Sequence, residues 1–594
     1  MKNFKIFQTA LIIALTFISG LPLLADKLSG RNEFSSGTSM APPPPPCSLP
    51  ISITKEMRVD FGAVGDGITD DSPAFKRASD WINANWSASS SIKIIVPAGT
   101  YVVGHQVRKG EIWNYGTGSI NNTTQSYLGV SVFDLANASN VIIEGDVNMG
   151  TRIIYKNGLM YGGYRTDTDM PCIANNGSCG TNTCPVNPLV GNPVATVGAF
   201  LFLTKCSCIT VSNFWVEGRY NMCKRQGNVG ECSSIQLQYD GILVAGGSDI
   251  TISDITCTNF GRDGLMTYYS GGSNVTNLTL NNFISSGNGR QGFSLCSGIN
   301  VTATNCDFIL TGKIKDGAIY SGNPGAGLDI EPDQGGIASN CSFTNCRFSR
   351  NQSVGMITDN YYPDNITFDS CFFSSLHNHA LWPNRMVNSV IKNSVIVGRV
   401  VKVGGSSSND HLVFDNNLFT DWFGSWNAPT VTWAQPGSTG GGGYLLNFGG
   451  PGVNNFVTFR NNNIQVRHSL FLFYDIGVPN TSRVWDNNTF TAFTADLANT
   501  TNGYPSAIPS GGFIGHFKCC TARSNVFVDG NPSNSPSGGP NVWFGVKAYN
   551  WGPHPSDNIT NGMNFWGPWG PTTYSHFFYN NNYLGGIPNN TGFW

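Results

Sequence analysis

Charged residues are scarce in this sequence. Asp, Glu, Lys and Arg make up 12% of its 594 residues, and the formal net charge is −2. Such a balance leaves no basic patch of the kind that binds nucleic acid, so nucleic acid is not an expected partner. No Cys and His spacing resembles a zinc site. Apart from residues 10–24, which are short for a membrane span, no segment is apolar enough to be one, so no membrane span is expected.

The first fifty residues have the composition of an export signal and a linker. Lys2 and Lys5 precede the apolar residues 10–24, and Ala25 follows as a cleavage site, which is the pattern of a secretory signal. We therefore predict a signal peptide over residues 1–25 and a secreted, extracellular protein. Residues 26–50 contain a run of prolines at 42–46 and are predicted to form a Pro/Ser/Gly-rich linker.

Glycine and aromatic residues are abundant, with 71 glycines and 12% aromatic residues, and asparagine is frequent. This profile is typical of a turn-rich β protein. Sixteen cysteines in an exported chain predict disulfide bonds, and Asn-x-Ser/Thr sequons such as those at Asn274 and Asn365 suggest a glycoprotein. Four cysteines lie instead in strand-like repeats, where buried free thiols are the alternative: Cys257, Cys306, Cys346 and Cys371.

Two segments near the N-terminus carry the clearest local signals. Residues 59–71 read VDFGAVGDGITDD, and residues 94–103 read IIVPAGTYVV. Asp70, Asp71 and Ser72 are residue types that cap helices, and Pro73 suits the first helical position, so a short amphipathic helix is predicted to run to about Asn83. The acids of this segment are therefore predicted to be structural rather than catalytic.

These two segments together resemble the opening of the pectate-lyase superfamily. The resemblance covers residues 57–105 and implies an all-β fold, a right-handed single-stranded parallel β-helix with a short N-terminal capping helix. It also implies a protein that acts on polysaccharides. We expect the catalytic β-helix to span residues 51–530, and the aromatic-rich residues 531–594 to form a cap or an accessory segment, because solenoid ends must be shielded.

Imperfect repeats through the middle of the chain predict the same architecture. Units such as residues 304–308, 344–348, 391–395 and 414–418 recur at spacings of about 23 to 28 residues, or near twice that where a loop intervenes, and such a period indicates a solenoid. Short alternating strands and Asn-rich turns without intervening helices favour a parallel β-helix over a leucine-rich repeat.

A second register aligns a glycine in successive repeats, with a large apolar residue after it that must face the core. Strand alternation then turns the second and fourth residues after the glycine outward. The second-position column is Leu243, Met266, Ser294, Asp329, Ile357 and Trp382. The fourth-position column is Ala245, Tyr268, Cys296, Glu331, Asp359 and Asn384.

Asp329 and Glu331 are the first candidate catalytic pair. Carboxylates two residues apart on one strand face have Cα atoms about 6–7 Å apart. Their side chains can span the separations that retaining or inverting glycosidases use. The pair therefore predicts a glycoside hydrolase without a cofactor. The alternative is a calcium site or a solvated edge.

Asp240 and Asp263 are the second candidate pair. The segments at 238–241, 261–264 and 290–292 resemble the Asn-Thr-Asp-Gly, Gly-Asp-Asp and Gly-His-Gly series of polygalacturonase-type hydrolases. Asp240 and Asp263 match acids of that series. Arg262 replaces the acid that serves as proton donor in the family, and Gln291 replaces the histidine. The alternative is that Asp-Gly marks a turn in each repeat.

The remaining candidates would bind a polysaccharide substrate, anionic if Arg290 pairs with its acidic groups. Stacking and hydrogen bonding are expected from aromatic and polar side chains of the same face. The predicted substrate-binding residues are Arg290, Gln291, Tyr268, Trp382 and His379. Two other functions stay open: a calcium-dependent lyase of uronic-acid polymers, with Asp333 and Asp359 as metal ligands, and a non-catalytic glycan-binding or adhesive protein.

Overall fold

The computed structural model describes residues 49–492 except for loop segments, together with short strands beyond them. The segments outside the described residues are 164–193, 227–236, 313, 316–317, 320–323, 333–334, 359–361, 376–378, 402–410, 424–425, 428–443, 448–455, 467–470 and 475–482. The signal peptide and most of the predicted linker also lie outside them. Beyond residue 492 the described residues are 515–518, 520–523, 526–529, 546–549, 577–579 and 582–584.

Forty strands form one continuous ladder that winds into a three-sided parallel β-helix. We name its sides faces A, B and C. The strands Leu201–Glu217 and Ile242–Thr258 each pass through all three faces and bend at the corners. Every strand pairing in the ladder is parallel and joins a strand to its counterpart in the next turn, as the repeats predict. The predicted fold class is confirmed.

The remaining strands of each face follow in chain order. Face A contains Phe133–Ala136, Asp263–Tyr268, Gln291–Leu295, Ala326–Ile330, Val354–Thr358, His379–Pro383, Val400–Val401, Tyr444–Asn447, Phe471–Tyr474, Gly515–Lys518 and Val546–Tyr549. Face B contains Ile51–Glu56, Ser91–Ile95, Ser139–Glu144, Val275–Asn281, Gly298–Ile299, Thr302–Thr304, Ala338–Thr344, Asp364–Asp369, Ser389–Lys392, His411–Asp415, Phe456–Arg460, Arg483–Asp486, Cys520–Arg523 and Phe577–Tyr579. Face C contains Asp66–Asp70, Gly99–Val103, Thr151–Tyr155, Ile284–Ser286, Asp307–Ile309, Arg347–Asn351, Phe372–Ser375, Val395–Val397, Leu418–Thr420, Asn463–Val466, Thr489–Ala492, Val526–Asp529 and Asn582–Leu584.

Smaller sheets lie beside the ladder. A five-stranded sheet consists of Gln106–Arg108, Tyr127–Gly129, Met160–Gly163, Val194–Ala195 and Lys224–Gln226. Three antiparallel pairs are Ile112–Asn114 with Ser119–Asn121, Ile314–Lys315 with Ala318–Ile319, and Trp422–Phe423 with Trp426–Asn427. The helices are Met57–Phe61, Ser72–Asn85 and the 3-10 turn Tyr220–Met222. Among the described residues, no helix is long and apolar enough to cross a membrane.

The helix Ser72–Asn85 covers the first turns of the solenoid. Its apolar side buries Ala74, Phe75 and Ile82, and the ring of Phe75 meets that of Phe133 edge-on at 5.2 Å. The carboxylate of Asp71 accepts hydrogen bonds from the backbone N–H groups of the preceding loop, at Val64 (2.6 Å) and Gly65 (3.2 Å). The predicted structural role of this acid is confirmed, although its side chain makes no bond to the helix itself.

Like side chains stack along the core because equivalent residues of successive turns lie directly over one another. Phe308, Phe348 and Phe373 form one such stack, with ring centroids 5.4 and 5.1 Å apart. Cys306, Cys346 and Cys371 occupy a neighbouring column and are buried free cysteines. Cys257, elsewhere in the core, is also a buried free cysteine. For these four residues the free-thiol alternative is confirmed.

Asparagine ladders explain the frequency of that residue. At one corner, the buried amides of Asn417, Asn462 and Asn488 bind one another across turns, and each also donates to a backbone carbonyl. At the exposed corner, pairs such as Asn277 and Asn300 adopt positive φ angles of 54° and 59°, which asparagine tolerates better than most residues. The amide of Asn300 donates to that of Asn277 at 3.0 Å.

The aligned glycines mark the corner that leads into face A. A Cβ atom built on Gly241, Gly292 or Gly355 would lie 2.5, 2.4 and 2.4 Å from the carbonyl oxygen of the equivalent residue in the next turn. No side chain fits at such a distance without moving backbone. Glycine is required here by the close approach of successive turns, and this corner fixes the start of the strands that carry the candidate site.

Candidate functional site

Face A places the second-position column in the register that the sequence predicts. The structure pairs Leu243 with Met266, Met266 with Ser294, Ser294 with Asp329, Asp329 with Ile357, and Ile357 with Trp382. The alignment is therefore correct even where loop insertions precede Asp329. Ser294, Asp329 and Ile357 are nevertheless buried, whereas Met266 and Trp382 of the same column are half-buried.

A second column on face A comes from the residues before the aligned glycines. Asp263 pairs with Gln291, and Ala326 pairs with Val354, which pairs in turn with His379. The two columns lie side by side along the same face. The structure thereby brings together most of the residues that the sequence predicts for the site.

Asp240 and Asp263 each bind an arginine inside the protein. The guanidinium of Arg262 donates to both carboxylate oxygens of Asp240, at 2.7 and 2.6 Å. Arg290 forms the same bidentate ion pair with Asp263, in which Nε of Arg290 lies 2.8 Å from Oδ1 of Asp263. The hydroxyl of Ser294 donates to Oδ2 of Asp263 at 2.9 Å. Both carboxylates are fully buried.

The electrostatics of these pairs keep both guanidinium groups charged. Burial alone lowers the pKa of a guanidinium, but the adjacent carboxylates raise the pKa of Arg262 and of Arg290 above the ordinary value. Each arginine is occupied by a neighbouring aspartate. The predicted role of Arg290 in holding an anionic substrate would require it to leave Asp263.

Asp329 is held by Gln291. The side-chain amide of Gln291 donates to Oδ2 of Asp329 at 2.6 Å, and its carbonyl oxygen accepts the backbone N–H of Ala326 at 3.2 Å. These two bonds fix which end of the amide faces the carboxylate. Gln291 is fully buried, so it orients Asp329 inside the protein.

Glu331 follows Asp329 at the end of the strand Ala326–Ile330 and is only half-buried. Its backbone N–H donates to the carbonyl of Leu295 at 3.2 Å, which continues the ladder past the last strand residue. One acid of the candidate pair is therefore enclosed and the other reaches the boundary of the protein. The half-buried Tyr268 belongs to the same face, and burial raises the pKa of its phenol.

Trp382 and His379 lie two turns from Asp329. Their rings meet edge-on with centroids 5.1 Å apart. Burial, together with the positive charge of Arg399, lowers the pKa of His379 to about 3, so the imidazole is neutral at physiological pH. Arg399 was not among the residues that the sequence analysis considered. Because Val400 pairs with Leu381, Arg399 stands one turn after Ala380, at the aligned glycine position.

The two residues proposed only as calcium ligands, Asp333 and Asp359, lie outside the described residues. Within the part of the chain that the structure describes, no group of three His, Cys, Asp or Glu side chains is placed to hold a metal ion.

Known proteins show only a distant similarity of fold to this chain. No family model and no curated protein matches the chain. Among solved structures, the A-module of a mannuronan C-5 epimerase from Azotobacter vinelandii is 15% identical, with 80% of this chain and 99% of that chain covered and a TM-score of 0.48. A tailspike capsular polysaccharide depolymerase from an Acinetobacter baumannii bacteriophage is 14% identical, with 80% and 62% covered and a TM-score of 0.38. A surface adhesin of Streptococcus pneumoniae is 12% identical, with 89% and 99% covered and a TM-score of 0.35.

Proposed function

We propose that this protein is a secreted glycoside hydrolase that cleaves a polysaccharide along face A. The observation that carries the proposal is the buried carboxylate of Asp329, which Gln291 orients, beside the half-buried Glu331 on the same strand. A buried carboxyl group is costly to maintain and is a candidate for a functional role.

The two carboxyl groups would take different roles. An amide N–H stabilises the carboxylate form of its partner, so we assign Asp329 as the base that activates water, or as the nucleophile that attacks the anomeric carbon. Glu331, at the boundary of the protein, would donate its proton to the departing glycosidic oxygen. Whether the configuration is retained or inverted depends on the separation of the two carboxyl groups when substrate is bound.

Asp240 and Asp263 receive a positioning role in this proposal. Their ion pairs with Arg262 and Arg290 fill the turns next to Gln291. Arg290 also donates to Ser294 at 3.2 Å, and Ser294 is the direct strand neighbour of Asp329. The ion pairs would thus hold the backbone on which Gln291 and Asp329 sit.

The test is incubation with a panel of neutral, uronic and sulfated polysaccharides, with reducing ends and ultraviolet absorbance measured together. Hydrolysis releases reducing ends without new ultraviolet absorbance and tolerates a chelator. A calcium-dependent lyase would form unsaturated, absorbing products and lose activity with the chelator. An adhesive or glycan-binding protein would bind a polymer and release nothing, and that result would overturn the enzyme proposal.

A further inference from the structure

The structure separates the Asn-x-Ser/Thr sequons of this chain by what their asparagine side chains contact. Asn274, one of the sequons noted in the sequence, is half-buried. Its Oδ1 accepts the hydroxyl of Ser297 at 2.8 Å and the backbone N–H of Ile337 at 3.0 Å. This side chain therefore joins neighbouring turns of the solenoid, which is a structural use of the residue.

Other sequons begin within the asparagine ladder of the exposed corner. The side-chain amides of Asn277, Asn300 and Asn365 donate to the preceding turn. Their acceptors are Asp249 at 2.8 Å, Asn277 at 3.0 Å and Asn340 at 2.8 Å. Neighbouring turns lie roughly 4.8 Å apart, so a sugar attached at one ladder position would press against the side chain of the next turn.

Two overlapping sequons lie outside the ladder, where residues 121–124 read NNTT. The first pairs Asn121 with the hydroxyl residue Thr123, and the second pairs Asn122 with Thr124. The two asparagines are adjacent in the chain, so the folded structure rather than the local sequence distinguishes them.

Asn122 is locked into the loop that follows the hairpin and is 1% exposed. Both N–H groups of its side chain donate, to the carbonyls of Val107 and Gln125 at 2.7 Å each. Its Oδ1 accepts the backbone N–H groups of Thr124 at 3.2 Å and Gln125 at 3.1 Å. Every donor and acceptor position of the amide is used. A sugar on Nδ2 would replace one of these N–H groups and would need space that the buried site does not offer.

Asn121 lies on an open side of the hairpin. It is exposed and ends the strand Ser119–Asn121, where it pairs directly with Ile112 of the antiparallel partner strand. Directly opposite residues of an antiparallel pair project to the same side of the sheet. Ile112 is 58% exposed, so this side of the hairpin faces solvent and has room for a hydrated oligosaccharide.

We propose that Asn121 carries an N-linked glycan and that Asn122 does not. In the transfer, Nδ2 of Asn121 forms a bond to the anomeric carbon of an oligosaccharide that is linked to a lipid diphosphate. The bond from that carbon to the diphosphate oxygen breaks, the lipid diphosphate leaves, and Nδ2 loses one proton. The proposal goes beyond the proposed function and involves none of the residues of that site.

Folding selects between the two positions even where the transfer precedes it. A glycan placed on Asn122 would have to enter the buried loop and break hydrogen bonds there, which opposes folding. A glycan placed on Asn121 stays in solvent. Folded molecules therefore carry the glycan at the first position.

The experiment uses the full chain, exported by a eukaryotic host and purified from the medium. Enzymatic release of N-glycans in heavy-oxygen water converts each glycosylated asparagine to an aspartate that contains heavy oxygen, and peptide mass spectrometry locates it. Thr123→Val removes the sequon of Asn121 and leaves that of Asn122. The matched control Thr124→Val does the opposite. Both threonines are exposed, so both variants should fold, which circular dichroism verifies.

We expect the heavy-oxygen label at Asn121 in the wild-type protein and in Thr124→Val, and its loss throughout residues 121–124 in Thr123→Val. Three results would overturn the proposal: a label at Asn122 in the wild-type protein, a glycan retained within this segment by Thr123→Val, or an unlabelled Asn121 in the secreted wild-type protein.

Discussion

Substitutions in the buried ion pair Asp263–Arg290 can distinguish a structural role of Asp263 from a catalytic one. Asp263→Asn would leave the guanidinium of Arg290 buried without its counter-ion, and Arg290→Met would leave the carboxylate in the same position. Breaking a buried ion pair by removing one partner costs about 3–5 kcal/mol of unfolding free energy. The pair qualifies because Asp263 has no exposed side-chain surface and Arg290 has 8%.

The double variant Asp263→Asn/Arg290→Met should be more stable than either single variant, since no uncompensated charge remains in it. The control is the pair Asp415–Arg460, whose side chains are 22% and 51% exposed. Asp415→Asn should cost less than about 1 kcal/mol, as is usual for surface ion pairs. Urea titration followed by circular dichroism measures the four free energies of the cycle.

Two results would refute this reasoning. Additive losses in the double variant would show that the two side chains do not act as a pair. A double variant that is folded and stable but wholly inactive on the responding polysaccharide would show that Asp263 takes part in the chemistry, as the resemblance to polygalacturonase-type hydrolases implies. We expect measurable activity to remain.

Three further outcomes are expected. The pKa of His379 is lowered from 6.5 to about 3, so its contribution to stability is complete above about pH 6.5 and is lost as the pH falls toward 3. His379→Gln should therefore flatten the dependence of Tm on pH in that window. An unchanged slope would contradict this. Gly292→Ala places a Cβ atom 2.4 Å from the carbonyl oxygen of Gly327 and should lower the unfolding free energy, measured by urea titration, by about 1–3 kcal/mol. The control Gly110→Asn, at a φ of 82° with open space around it, should lower it little. Asn462→Ala removes the hydrogen bond that Asn462 donates to the carbonyl of Phe414 and the bonds that its Oδ1 accepts from the side chain and the backbone N–H of Asn417. It should lower the unfolding free energy by about 1–3 kcal/mol, a loss that exposed Asn461→Gly should not share.

Much of the fold follows from the sequence because a solenoid repeats its constraints. Each aligned glycine is required by the same close approach between successive turns, and each apolar residue after it packs into the same core. A register error of one residue would turn that residue outward, so the pattern fixes the alignment even across the loop before Asp329. The column from Leu243 to Trp382 was predictable for this reason.

The environment of the candidate site was less predictable. The alternation of side chains along a strand predicts which of them point away from the core, but it does not predict whether another part of the chain covers them. Asp240 and Asp263 were predicted as a second catalytic pair, yet both are buried and paired with arginines from the next turn. The pairing of Arg290 with Asp263 rather than with substrate depends on side-chain reach across a corner, which spacing along the sequence does not contain.

The most direct test of the account is the rate of reducing-end release from the responding polysaccharide by the wild-type protein, Asp329→Asn and the surface control Asp415→Asn. The account predicts that Asp329→Asn lowers kcat by about 10²–10⁴-fold, as loss of a general base or nucleophile does, while circular dichroism and KM stay close to those of the wild type. Asp415→Asn should cleave at the wild-type rate. An Asp329→Asn variant that keeps full activity would contradict the claim that this carboxylate on face A performs the cleavage.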